Sequence, residues 1–137
     1  ESLISHMVFS VPGVKGIEFG AGFGGSAMRG SDYNDAIIDP EGRTRTNNAG
    51  GINGGLTNGN DITFRVAARP AASIPRPQPT IDLTRGENAT LSIRGRHDVC
   101  IALRMPVIIE AVTALVMADL MFIHKSLWGN GTHGQTA

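Results

Sequence analysis

The chain reads as an α+β fold, an antiparallel sheet with helices packed on one face, on three observations. A helix-period stripe opens the chain, strand-period alternation recurs between residues 61 and 69 and again near Leu91, and the last long element is apolar on nearly every side. Alternating strands bounded by helical segments favour helices laid on a sheet. A helix that is apolar all round needs cover on more than one side, so a second layer is expected that 137 residues do not supply.

Residues 2–11, "SLISHMVFSV", place Leu3, Ile4, Met7, Val8 and Val11 on one helical stripe, stopped by Pro12 and Gly13. Residues 14–20 follow as a half-buried strand, with Ile17 and Phe19 on one face and Glu18 on the other. Residues 61–69 form a clearer strand, Ile62, Phe64 and Val66 facing one way and Thr63 and Arg65 the other. Residues 70–79 hold four of the seven prolines and are expected to be irregular. After a turn at residues 85–88, residues 91–94 alternate again. The last helix starts at Pro106, a favoured first-turn residue, and runs to about Lys125, where cations suit the negative end of the helix dipole. Its apolar run, residues 107–123, is interrupted by Glu110, Thr113 and Asp119, which predicts a buried helix and not a bilayer span.

Composition narrows the function. Apolar residues make up 41% and charged residues 18%, enough for one domain with a modest core. Twelve basic residues balance twelve acidic ones, and there is one Trp and one Tyr, so neither nucleic acid nor an anionic membrane is expected as a partner. The single cysteine, Cys100, excludes an internal disulfide framework and suits a reducing, cytoplasmic compartment. The N-terminal stretch lacks a basic region and a small-residue cleavage site, so no secretory signal is read. No metal site is expected, because His97 and Cys100 lack a second pair of ligands at suitable spacing.

Thirteen of the eighteen glycines lie between Gly13 and Gly59. Gly20, Gly22 and Gly25 spell G-x-G-x-x-G after a strand, but Gly30 and the Asp39-Pro40 pair fall where a dinucleotide fold needs a helix and a second strand. That motif is read as a loop whose backbone amides approach a bound group or solvent. Residues 46–60, "TNNAGGINGGLTNGN", carry the composition of a linker, or of a loop built on positive φ angles. Arg69 and Ser73 flank Pro70 at a strand end, a setting for a phosphate or for a plain turn. The densest constellation is Arg96-His97-Asp98: Arg96 could clamp an anion with two N–H groups and Asp98 could take a proton, or the three could form a salt-bridged loop.

Taken together, "SVPGVKGIEFGAGFGGSAMRGSDYND", "TNNAGGINGGLTNGNDITFRVAARP", "SIPRPQPTID" and "GRHDVCIALRMPVIIEAV" resemble chorismate synthase, in the family's order and spacing over nearly the whole chain. The resemblance implies a lyase of the shikimate pathway, feeding aromatic amino acid biosynthesis. It converts 5-enolpyruvylshikimate 3-phosphate to chorismate by a 1,4-anti elimination of phosphate, and it requires reduced FMN although no net oxidation occurs. The reduced flavin comes either from NADPH oxidation by the enzyme itself or from outside it. The implied fold is a β-α-β sandwich, helices held between two antiparallel sheets, in a homotetramer. Carried over by motif, flavin contacts fall on Pro12, Gly13, Gly54, Arg69, Pro70, Ala71, Ala72, Ser73 and Arg96, and Asp98 matches the family's proton-handling aspartate. Where the family commonly has K-P-T-S-S, this chain has Arg69, Pro70, Ala71, Ala72 and Ser73, which keeps the cation and removes two hydroxyl donors.

Residues 1–137 resemble only the C-terminal part of that family's chain, so half of a sandwich and half of a site are expected. The N-terminal G-x-S-H-G segment, the arginines for the substrate phosphate and the second sheet have no counterpart here. Two functions follow: the flavin half of the lyase, inactive by itself, or a non-catalytic flavin- or phosphate-binding module whose apolar helix serves assembly.

Overall fold

The computed structural model describes residues 1–129. Helix α1 spans Ser2–Phe9 and buries Ile4 and Val8. Ser10 closes it, its Oγ donating to the Met7 carbonyl at 2.6 Å, and Gly13 at φ 95° turns the chain into strand β1, Val14–Phe19.

Strand β1 pairs antiparallel with β4, Phe64–Ala68, with Ile17 opposite Val66 and Phe19 opposite Phe64. The two phenyl rings lie 5.5 Å apart between centroids. On the other face Glu18 sits opposite Arg65, and Arg65 Nε reaches Glu18 Oε1 at 2.9 Å. This is the in/out alternation of a half-buried ribbon. A one-turn helix, α2, spans Gly30–Tyr33, and helix α3, Met105–Trp128, lies across α1 and the ribbon. The core is Ile4, Val8, Val11, Val14, Ile52, Met105 and Val116, with Ile17, Phe64, Val66 and Ile109 packed around it.

The fold is α+β with small antiparallel sheets, and five sequence expectations need correction. In place of one sheet there are three two-stranded ribbons: β1 with β4, β2 (Ile52–Asn53) with β3 (Leu56–Thr57), and β5 (Gln78–Asp82) with β6 (Glu87–Leu91). The proline-rich segment ends in a strand, since Pro79 lies within β5 opposite Thr90. A two-stranded ribbon leaves alternate N–H groups without a ladder partner, so it tolerates a residue that has none. The strand expected at 91–94 is displaced upstream, because register is set by the turn at Asp82, whose Oδ1 accepts from the Thr84 N–H at 2.8 Å. Beyond Leu91 no partner strand continues.

The fourth correction concerns α3. Its ends lie close to the expected Pro106 and Lys125, at Met105 and Trp128, but the expected burial fails, since only Met105 and Val116 in it are buried. Leu115, Met121, Phe122 and Leu127 face solvent, Phe122 being 72% exposed. The segment Ile101–Trp128 that contains it is long and apolar enough to cross a membrane, by length and composition only.

The glycine- and asparagine-rich loop is ordered, so the linker reading does not hold. A two-residue turn at Gly54 and Gly55, φ 57° and 82°, joins β2 to β3. Asp35 holds the loop's start: its carboxylate accepts from the Asn48 and Ala49 N–H groups at 2.8 and 2.9 Å and from Thr46 Oγ1 at 2.7 Å. Burial pushes the Asp35 pKa up, but these three hydrogen bonds outweigh it and hold the carboxyl below its ordinary value.

Candidate functional site

The end of β4 and the start of α3 meet beside α1. Arg69 extends the ribbon, its N–H donating to the Gly13 carbonyl at 2.8 Å. Gly13 admits this approach: a side chain there would meet Ile101 Cδ1 and then Met105. Ile101–Arg104 forms a single 3-10 turn leading into α3. The chain between, after leaving through the β5–β6 ribbon, returns residues 96–98 to face residues 69–73.

The result is an open cleft of about 640 Å³. One wall carries Arg69, Ala71, Ala72 and Ser73; the other carries Arg96, His97 and Asp98, with Ile101 and Arg104 at the end. Two side-chain contacts fix the walls. Ser73 Oγ lies 3.1 Å from His97 Nδ1, and Arg104 Nη2 donates to Asp98 Oδ1 at 2.9 Å. Arg69 and Arg96 form no ion pair among the described residues. His97 Nε2 is enclosed and has no hydrogen-bond partner. Chemically, the cleft offers two guanidinium groups with no carboxylate partner, Arg69 Nη1 donating to the Pro70 carbonyl at 3.0 Å, a hydroxyl and one carboxylate whose charge is already met, which is a setting for an anion.

Six of the residues singled out from the sequence therefore come together: Arg69, Ala71, Ala72, Ser73, Arg96 and Asp98. Pro12 and Gly13 lie next to the cleft without lining it, and so does Pro70. Gly54 stands apart in the β2–β3 turn, whose following residues line a groove against the C-terminal half of α3. Sequence reasoning missed Arg104 and the pairing of His97 with Ser73. Arg104 lies six residues after Asp98, close enough to be tested as a partner; the contact across twenty-four residues carries no local signal.

Two other features hold no comparable chemistry. The G-x-G-x-x-G loop is closed by the protein itself, since the Phe23 N–H donates to Glu18 Oε2 at 2.9 Å and Gly22 packs on the Glu18 side chain. A space of about 750 Å³ between β4 and α3 has Phe64, Val66, Ile109 and Met117 in its walls and no cation.

The family model for chorismate synthase matches residues 1–122. The chain belongs to the chorismate synthase family. Among curated chorismate synthases, that of Chitinophaga pinensis is 54% identical over 125 residues, which is 91% of this chain and 38% of the relative. That of Archaeoglobus fulgidus is 46% identical over 125 residues, 90% of this chain and 35% of the relative. A crystal structure of a chorismate synthase aligns at 39% identity and a TM-score of 0.46, over 50% of this chain and 21% of that one. The chain thus spans a little over a third of the length of the chorismate synthases it matches.

Proposed function

We propose that this chain carries the flavin-contacting half of a cytoplasmic chorismate synthase, the lyase that eliminates phosphate from 5-enolpyruvylshikimate 3-phosphate with reduced FMN. The observation that carries the reading is the cleft itself: Arg69, Ala71, Ala72, Ser73 and Arg96, which the family resemblance assigns to the flavin, and Asp98, which it assigns to proton handling, converge from distant segments on one cleft. The donor set fits an FMN phosphate, with Arg69, Arg96 and the Ser73 hydroxyl on facing walls and no second carboxylate among the lining residues. Gly54 is open to an approaching ligand but from outside this cleft.

In this reading Arg69, Ser73 and Arg96 bind and orient the cofactor. Ala71 and Ala72 contribute apolar surface where the family commonly has hydroxyls. Asp98 is the proton-handling group through Oδ2, the oxygen that Arg104 does not engage. Bound reduced FMN supplies electron density as the C–O bond to phosphate breaks. The exposed side of α3 is the interior of the sandwich, the surface on which the second sheet lies. The homotetramer and the substrate-phosphate arginines belong to the whole enzyme.

A flavin titration of the 137-residue chain tests this. FMN fluorescence should be quenched on binding, and Arg96→Ala should abolish the quenching; no binding by the wild-type chain overturns the reading. Binding without turnover even when a chain carrying the remaining part of the family's length is added would place the chain as a flavin- or phosphate-binding module.

A further inference from the structure

The cleft contains a feature at odds with binding an anion. Asp98 lies among Arg69, Arg96 and Arg104, and a bare carboxylate there repels a phosphate. Asp98 is not bare, because Arg104 Nη2 meets its Oδ1 at 2.9 Å. Arg104 is placed by its neighbour: it ends the 3-10 turn directly before Met105, which is buried in the core. Yet the side chains of the pair are 66% and 51% exposed, and pairs so exposed add little to folding. The charge of Arg104 therefore matters chiefly for what enters the cleft.

We propose that Arg104 is a positioning residue that neutralises and orients Asp98, so that the cleft presents Arg69 and Arg96 to a phosphomonoester dianion. Arg104 acts through Asp98 and does not itself touch the ligand. The assignment rests on the flavin reading above for the identity of the ligand. It follows from the ion pair for the division of labour: two arginines whose charge no carboxylate meets, the third committed to Asp98. Asp98 keeps one oxygen free for a proton and contributes no net repulsion.

The test is a double-mutant cycle on the 137-residue chain, titrated separately with FMN and with inorganic phosphate. Arg104→Gln should weaken both by about five- to tenfold, the order expected when a like charge is uncovered at a partly exposed site. Asp98→Asn should bind at least as well as the wild type. The double variant carries the wild type's net charge at this pair and should bind about as the wild type does, since no carboxylate is left to cover. Arg104→Lys should retain most of the affinity and shows that a folded chain with a cation at this position suffices. A double variant as weak as Arg104→Gln means that Arg104 contacts the ligand, and it overturns the proposal. So does Arg104→Gln binding as the wild type, which leaves the pair a surface ion pair only. Wild-type binding of phosphate without FMN overturns the flavin reading alone, because the cycle on phosphate still decides the role of Arg104. Binding of neither overturns both.

Discussion

Ser73 Oγ and His97 Nδ1 lie 3.1 Å apart, joining the two walls of the cleft by one hydrogen bond between residues twenty-four apart in sequence. Either wall alone is an exposed loop. Ser73→Ala should therefore loosen both, lowering FMN affinity by about threefold to tenfold, the range for one neutral hydrogen bond. His97→Phe should loosen the walls in the same way while leaving the Ser73 hydroxyl to the cofactor, and the double variant should be no worse than Ser73→Ala. Additive losses would show that the two residues act separately.

In the complete enzyme, Asp98→Asn should cut the single-turnover rate by about a hundredfold to ten-thousandfold while FMN affinity stays within a few-fold. Asn keeps the volume and an acceptor for Arg104 but takes up no proton. Rate and affinity falling in proportion would make Asp98 a structural residue of its loop.

Asp35 predicts an acid limit to stability. Its folded pKa lies below the ordinary 3.8, so the unfolded chain binds the proton more readily. The contribution is fully present above pH 3.8 and is lost as pH falls through the lower folded value. Urea midpoints from pH 6 down to pH 2.5 should fall in that window. In Asp35→Asn the midpoint should be lower at pH 6, because one amide oxygen cannot serve three donors, and the fall on acidification should be smaller. An identical acid slope in both proteins would show that other carboxylates set the limit.

The exposed apolar residues of α3 should drive self-association. Leu115, Met121, Phe122 and Leu127 form more apolar surface than an isolated monomer tolerates. Sedimentation of the 137-residue chain should show oligomers that grow with concentration, and Met121→Lys with Phe122→Lys should reduce them. A monomer at high concentration would refute the expectation.

The 137-residue chain alone should yield no chorismate from 5-enolpyruvylshikimate 3-phosphate and reduced FMN. It spans 38% of a full-length relative, and the resemblance places the substrate-phosphate arginines outside it. Removing such electrostatic groups costs orders of magnitude in rate. Turnover near that of a full-length enzyme would contradict this.

Helix α1 and strands β1 and β4 were legible because period and burial agree in them: Ile4 and Val8 share one helix face, and Ile17 and Phe19 share the ribbon face that meets Val66 and Phe64. The ends of β6 were misplaced because a two-stranded ribbon on the surface has no buried face to impose a pattern; Leu83 in its turn is 94% exposed. The order of the loop at 46–60 was hidden because its anchor, Asp35, lies outside it and works through backbone N–H groups, which any residue supplies. For the cleft, the residue types were legible from the family resemblance. Their partners were not, because the Ser73–His97 contact depends on a chain reversal between them.

That reversal has an entropic consequence. Bringing Ser73 to His97 closes a loop of twenty-four residues in a free chain. Once Gln78 pairs with Leu91, only the short stems on either side remain to be closed, about a dozen residues, and halving a loop lowers its closure penalty by about 0.6 kcal/mol. The β5–β6 ribbon thus acts as a polymer clasp. A longer tip beyond Asp82 and Glu87 would leave that saving unchanged, whereas a longer stem at residues 74–77 or 92–95 would erode it.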